Sequence, residues 1–404
     1  LNSRAGDMNA LLDGMANGIQ TLEAADNGLT AITKTLESMQ STLRQARQDK
    51  SFQTASYTIA DGLTDAETLS FSGGAVGDTA VDIELGTAAV AATPATVTAA
   101  GGTDLTTGTG TDLQALDGES ITVTGDDGST ASYTFNAADD NATQIAAMNT
   151  AFAAAGVVGT ASADGIDLAN ADGVNFTVTT SDGAVDAVIG SASATASTDG
   201  VEAVAAASKT VDELVSEINN SSALDGKIRA SNDNGKLRVE NLSTQDLTVD
   251  GASSAGEIDG TSSGANTIEG NSVRAGLADQ FRELRDQLDK LADDASFNGV
   301  NLLRGDNLQI TFNETGTSEL NIQTKIDGEE GASVNSTTLG IETNLEAEDL
   351  DSDTNIDNLL ADVKGAINTV RSQSSAFGSS LSIVENRQNF SNNMINTLET
   401  GASN

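Results

Sequence analysis

The sequence predicts an α+β multidomain chain: a long antiparallel coiled-coil-like helical rod with a β-hairpin, plus inserted mainly-β outer domains. Three observations predict it. The last fifth of the chain carries an unbroken heptad of largely apolar positions. A second helical pattern occupies the opposite end. Between them, residues 51–208 contain no Lys or Arg and follow a β pattern.

The C-terminal heptad runs Ile356, Leu360, Val363, Ile367, Val370, Ser374, Phe377, Leu381, Val384, Gln388, Ser391, Ile395, Leu398, at alternating steps of four and three. No proline interrupts it. As a helix it spans about 64 Å at 1.5 Å per residue. So narrow a stripe needs a partner helix to cover it. The N-terminal run Asn9–Lys50 supplies one candidate. Leu12, Met15, Ile19, Leu22, Leu29, Leu36 and Leu43 share one heptad register, with Asp26 and Thr33 at polar seam positions. Such polar positions cost stability but set register. A third stripe, Val273, Leu277, Phe281, Leu284, Leu288 and Leu291, predicts a helix from Ser272 to about Ser296. A compact turn at Phe297–Leu303 and a hairpin follow it, the hairpin with Leu308, Ile310 and Phe312 facing Leu320 and Ile322.

The middle of the chain is organised by alternation and turn residues. Leu69 and Phe71, then Val81, Ile83 and Leu85, alternate with polar neighbours as strands do. Two low-complexity stretches, Thr87–Gly110 with the only proline and Gly190–Gly200, read as linkers. Ile121 and Val123, the turn Gly125–Gly128, then Tyr133 and Phe135 read as a hairpin, followed by a short helix from Asn141 to Ala154. From Val211 the design repeats. Glu217-Ile218-Asn219 matches Ala147-Met148-Asn149, Arg229-Ala230-Ser231 matches Thr160-Ala161-Ser162, and Leu247-Thr248-Val249 matches Phe176-Thr177-Val178. The later copy lacks its own upstream hairpin, and the strands around Phe71 and Ile83 supply one. One unit is therefore nested inside another. The expected division is 1–50 with 271–404 as a discontinuous helical domain, 51–104 with 189–270 as an inserted β-rich domain, and 105–188 as a second domain nested within it.

Composition excludes several functions. With 60 acidic and 19 basic residues among 404, the net charge is -41. Nucleic-acid backbones are bound by Lys and Arg that release counterions, so no nucleic-acid partner is expected. Anionic membranes repel such a chain, and no stretch approaches the ~20 apolar residues of a span. Cys and His are absent, which removes disulfides, Cys/His zinc sites and the common nucleophile–base pairs. No enzyme activity is expected. The chain starts at Leu1, inside a running pattern, and reads as a piece of a longer protein.

One segment raises a metal. Asp351, Asp353, Asn355 and Asp357 have the D-x-D-x-N spacing of a calcium loop. The sixth position calls for Gly and holds Ile356, and the twelfth, Asp362, falls within the heptad. The competing reading is a helix start, with Thr354 as N-cap and Asp357 three residues on. Calcium is the only cofactor the sequence leaves open.

Four segments resemble the bacterial flagellins. Asn17–Leu29, with its continuation Leu36–Arg47, is similar to the flagellin rod helix. Phe297–Leu303 resembles the family's loop between helix and hairpin. Arg371–Phe377-Gly378 and Glu385-Asn386-Arg387 resemble the C-terminal rod helix. The two β repeats resemble a small motif of flagellin and hook proteins, marked by its Ile-Asn pair. The resemblance implies a structural filament subunit, extracellular on the flagellum or cell surface, exported unfolded and self-assembling through rod helices. Leu12, Met15, Ile19, Leu22, Leu29, Leu36, Leu43, Leu284, Leu288, Ile356, Leu360, Val363, Ile367, Val370, Phe377, Leu381 and Val384 then carry rod packing. The implied partners are other flagellin subunits, an export chaperone, and cap and junction proteins. Two departures stand out. Terminal helices that flagellins use for polymerisation are missing, implying a trimmed subunit, and the large insert precedes the second rod helix. Two alternatives share the frame: a hook–filament junction protein, and a cell-surface protein that binds polysaccharide.

Overall fold

The computed structural model describes residues 2–189, 195–264 and 266–403. It is a mixed α/β structure, with six α-helices and several small sheets among the described residues. The chain opens with α1 (Asn2–Gln48), then β1 (Thr54–Ile59), the hairpin β2 (Thr68–Gly73) and β3 (Gly77–Glu84), and the short strands β4 (Gly86–Thr87) and β5 (Ala95–Val97). Next come β6 (Ser120–Gly125), β7 (Thr130–Thr134), α2 (Asn141–Phe152), β8 (Val157–Ser162), β9 (Gly165–Asn170), β10 (Phe176–Thr180), α3 (Gly183–Ile189), β11 (Thr195–Ala196) and β12 (Ala207–Ser208). Then follow α4 (Val211–Asn220), β13 (Ile228–Asp233), β14 (Lys236–Asn241), β15 (Leu247–Asp250), β16 (Glu257–Ile258) and β17 (Asn266–Ile268). Last are α5 (Ser272–Asp294), the hairpins β18 (Leu308–Thr311)/β19 (Glu319–Ile322) and β20 (Lys325–Ile326)/β21 (Glu329–Glu330), and α6 (Asp353–Ser403). The chain groups into two compact units, one of Leu1–Ile59, Leu69–Ile83 and Thr210–Asn404, the other of Ala60–Thr68 and Glu84–Lys209.

In the first unit, α1 and α6 run antiparallel. Arg47 near the end of α1 meets Asp353 and Asp357 at the start of α6, while Asp26 meets Ser374 further along. Helix α5 is also antiparallel to α1, since Arg274 reaches Asp49 at one end and Ala295 faces Gly28 at the other. At 51 residues, α6 is about 76 Å long. Leu22, Leu29, Leu36, Leu288, Ile356 and Val370 are among the fully enclosed side chains of the shared core. Each such side chain contributes roughly 1.5–3 kcal/mol by leaving water.

The nested repeat is visible in the strand pairing. In the outer copy, β15 pairs antiparallel with β2, giving the order β17-β15-β2-β3, and β13 pairs with β14 beside β1. In the inner copy, β10 pairs antiparallel with β6, giving β11-β10-β6-β7, and β8 pairs with β9 beside β5. The outer hairpin is β2–β3, separated from its helix α4 by the whole of residues 85–209. In both copies an asparagine at the end of the helix docks it on the second hairpin. Asn149 donates to the Gly159 carbonyl (2.9 Å) and accepts from the Gly159 N–H (2.7 Å). Asn219 does the same with Ala230, at 2.9 and 2.8 Å. The second unit has its own core, including Phe135, Met148, Phe152, Phe176 and Val178.

Several expectations need correction. The stretch Thr87–Gly110 is not a plain linker: it holds β5, and Val90 and Thr93 bridge to Val204 and Val201. Its small residues hide strands because they lack the bulky alternation that marks them. Of Gly190–Gly200, residues 190–194 lie outside the described residues, and Thr195–Ala196 form β11. Helix α3 has no counterpart in the sequence reading. Finally, Ser352 rather than Thr354 caps α6: its hydroxyl accepts from the Asn355 N–H at 3.3 Å.

Candidate functional site

The predicted packing residues gather as one face. Met15, Leu22, Leu29, Leu36, Leu43, Leu288, Ile356, Val363, Ile367, Val370, Phe377 and Val384 are buried in a single apolar cluster. Ile19, Leu284, Leu360 and Leu381 are half-buried against it. Leu12 is half-buried but lies outside that cluster.

Two glycines let other segments close on α1. A Cβ at Gly18 would stand 2.5 Å from Ile310 Cδ1, on the β18–β19 hairpin. A Cβ at Gly28 would stand 2.7 Å from both the Ala295 Cβ and the Leu303 Cδ1. The Phe297–Leu303 turn is therefore pressed onto α1 where only hydrogen fits. Asn301 fixes that turn to the end of α5, donating to the Ala292 and Asp293 carbonyls at 2.8 and 3.0 Å. Those carbonyls are helix-end acceptors without intrahelical partners. Further along, Arg387 of α6 stacks over Phe312 at 4.9 Å and donates to the Ser318 hydroxyl at 2.8 Å. Gln373 binds both the N–H and the carbonyl of Lys325, tying the β20–β21 hairpin to α6.

The helices join the outer β repeat at a polar junction that sequence reading did not foresee. Its centre is Arg274, wholly buried in the first turn of α5. Its guanidinium donates to the carbonyls of Leu350 (2.8 Å), Asp351 (3.1 Å) and Asp49 (2.9 Å) and to the Asp353 carboxylate (2.8 Å). The Phe52 ring covers it at 4.8 Å. A planar fork with five donors suits this many acceptors where an ammonium does not. Asn271, also fully buried, caps α5 through the Val273 and Arg274 N–H groups and donates to Asp49 at 2.6 Å. A cleft of ≈ 570 Å³ opens beside these groups, lined by Lys50, Phe52, Arg229, Glu240, Asp351 and Asp353.

The four residues with calcium-loop spacing sit here but do not converge. Asp351 faces away to the outer repeat, accepting from the Ser243 hydroxyl (2.8 Å) and the Thr244 N–H (2.7 Å). Asp353 faces Arg47, Lys50 and Arg274, and Asp357 faces Arg47. Asn355 donates to the Asp349 carbonyl at 2.7 Å. Among the described residues, no group of three or more acidic side chains is arranged to hold a metal ion. Electrostatics divide the junction. Burial pushes the Asp351 carboxyl up, against its bonds to Ser243 and Thr244. Burial also works on Asp353 and Asp49, but Lys50 and Arg274 outweigh it for the first, and Asn271, Ser51 and Arg274 for the second, so both carboxyls lie below their usual value.

No helix among the described residues is long and apolar enough to cross a membrane. No protein-family model and no curated protein matches this chain.

Proposed function

We propose that this chain is a structural subunit of the bacterial flagellar filament, a flagellin that assembles with copies of itself through a rod of α1, α5 and α6. One observation carries the reading. The segments that resemble flagellin, far apart in sequence, touch one another: Gly28 of Asn17–Leu29 abuts Leu303 of the Phe297–Leu303 turn, and Asp26 bonds Ser374 within Arg371–Phe377. Three dispersed matches that meet in one core support common descent more strongly than matches scattered over a surface. The paired repeats, each with its Asn149 or Asn219 clamp, agree with the hook-and-flagellin motif.

In this reading 1–50 and 271–404 are the rod domain, with an inserted β-rich domain and a second one nested in it between them; β5 and β11, expected at 51–104 and 189–270 in the outer domain, pair instead within the nested one. The subunit is extracellular, has no enzymatic task, and deals with an export chaperone and with cap and junction proteins.

The test is assembly. The chain is expressed as it stands and fused at both ends to the terminal helices of a polymerising flagellin, then imaged by electron microscopy. Filaments from the fused chain support the reading. Monomers alone, under conditions that polymerise the helix donor, overturn it.

A further inference from the structure

Residues 87–94 and 201–208 of the second unit run antiparallel as a two-stranded ribbon continuous with the β4–β12 pair. Val90 and Val204 exchange backbone bonds at 2.8 and 2.9 Å, and Thr93 and Val201 do so at 2.8 and 3.0 Å. These doubly bonded pairs stand three residues apart, whereas a regular antiparallel ladder repeats them at every second residue. Ala91 and Ala92 on one strand, and Glu202 and Ala203 on the other, fall between them. Among the described residues, none of these four has a backbone partner. The ribbon therefore presents more open N–H and C=O groups than the edges of an ordinary hairpin.

Its surface is apolar. All of its residues are exposed save Ala92, which is half-buried. Val90, Val201 and Val204 are 48%, 48% and 56% exposed, three of the seven large apolar side chains exposed among the described residues. Single exposed apolar residues mean little, but neighbours across one short ribbon form a patch. Carrying the chain out to β5 and back from β11 takes two strands side by side; it does not take valines. Edges left this open are normally guarded by charge or proline. Here Pro94 and Glu202 stand at one end, and residues 87–92 and 203–208 have neither.

We propose that this ribbon is a contact surface for the same ribbon of a second copy of the chain. Charge and symmetry choose that occupant. Of the twenty-one carboxylates in 51–208, which holds no Lys or Arg, only Glu202 lies on the ribbon. Glu84 and Lys209 flank one end and Asp199 the other. Elsewhere two such stretches repel; here they meet on uncharged Ala and Val. A basic partner would be drawn to the surrounding carboxylates instead, so the ribbon suits a partner that shares this chain's own sign. The surface is also its own complement, since the open N–H and C=O groups of one ribbon suit those of another, and a two-fold contact is one patch used twice. Centred on Val90 and Val204, it sets the two Glu202 carboxylates on opposite sides of the axis. The contact lies outside the helices, and the inference stands apart from the filament reading.

The chain has no cysteine, so a single introduced one reports only contacts between copies. Ala91→Cys and Ala203→Cys, both at exposed positions, are oxidised with diamide at high protein concentration beside Ala138→Cys, an exposed position off the ribbon. The ribbon reporters should form linked dimers about tenfold faster than the control, because contact raises the effective concentration of the thiols. Sedimentation of the unsubstituted chain should show a dimer that strengthens at ~1 M salt, which screens the repulsion and spares the apolar contact. Val204→Glu should weaken that dimer about tenfold, since docking would bury an unpaired carboxylate in each copy. Its melting should match the parent, which separates lost docking from lost folding. Cross-linking no faster than the control, a chain that stays monomeric at every salt, or a dimer indifferent to Val204→Glu overturns the proposal. If the fused chain still forms filaments in that event, this inference alone falls and the assembly reading stands.

Discussion

The Ser374 hydroxyl donates a 2.9 Å hydrogen bond to the Asp26 carboxylate, joining positions 348 residues apart in sequence. Both sit on the seam between α1 and α6, where apolar residues would give more stability but less choice of register. A shift of one heptad along α6 would put Asp26 against an apolar position. Ser374→Ala is expected to cost about 1 kcal/mol, because the bond is charge-assisted but half-exposed. A double-mutant cycle with Asp26→Asn should return a coupling energy of roughly 0.5–1.5 kcal/mol. Additive effects would mean the bond contributes nothing to register.

Arg274 should be the most sensitive polar residue of the first unit. Arg274→Met removes a buried cation and leaves the Leu350, Asp351 and Asp49 carbonyls without a donor. Removing one member of such a network costs on the order of 3–5 kcal/mol. Arg274→Lys should recover little of that, since an ammonium cannot reach four acceptors at once. Chemical denaturation followed by helix circular dichroism measures both.

Acid should act on the junction in opposing directions. Asp353 and Asp49 have folded-state pKa values below the usual carboxylate value, so their stabilisation is complete above about pH 4–5 and is lost as pH falls through the lowered values. Asp351 is raised, so the folded state takes up its proton more readily, and this group favours folding increasingly as pH falls through the raised value. Asp351→Asn should therefore steepen the loss of stability on acidification, and Asp353→Asn should flatten it. Urea midpoints measured between pH 2 and 6 decide the sign.

Glycines on one helix should respond oppositely to the same change. Gly14 has open space where a Cβ would go, whereas Gly28 meets the Ala295 Cβ and the Leu303 Cδ1 at 2.7 Å. Gly14→Ala should stabilise by about 0.5–1 kcal/mol through helix propensity. At Gly28 the same gain is outweighed by overpacking of about 1–3 kcal/mol, giving a net loss. Thermal melts of the two variants suffice.

The repeats predict a matched pair. Asn149→Ala and Asn219→Ala each remove a two-way clamp between a helix end and a strand, with the same geometry in both copies. Each should cost roughly 1–3 kcal/mol. Hydrogen exchange at Gly159 and Ala230 should locate each loss in its own copy.

The apolar stripe from Ile356 to Ile395, the Met148-Asn149 and Ile218-Asn219 pairs and the hairpin at Gly125–Gly128 were all legible, because each rests on local periodicity or turn chemistry. Strands β4, β5, β11 and β12 were not, since Ala, Gly and Thr carry little alternation and their partners are distant. Arg274 looked like one more polar residue in the first turn of a helix. Its role depends on carbonyls from Asp49, Leu350 and Asp351, contacts that no local pattern encodes. The Asp351–Asp357 run shows the same limit: its spacing suggests one ligand, while the fold turns its side chains to different partners. An N-cap at Asn271, directly before the Val273 stripe, was a readable signal that was passed over.

The most direct measurement is a cryo-electron microscopy reconstruction of filaments grown from the chain fused to terminal helices of a polymerising flagellin. The account predicts α1, α5 and α6 in the filament wall, in contact with neighbouring subunits. Filaments whose wall excludes these helices, or failure of the fused chain to polymerise beside a polymerising control, would contradict it.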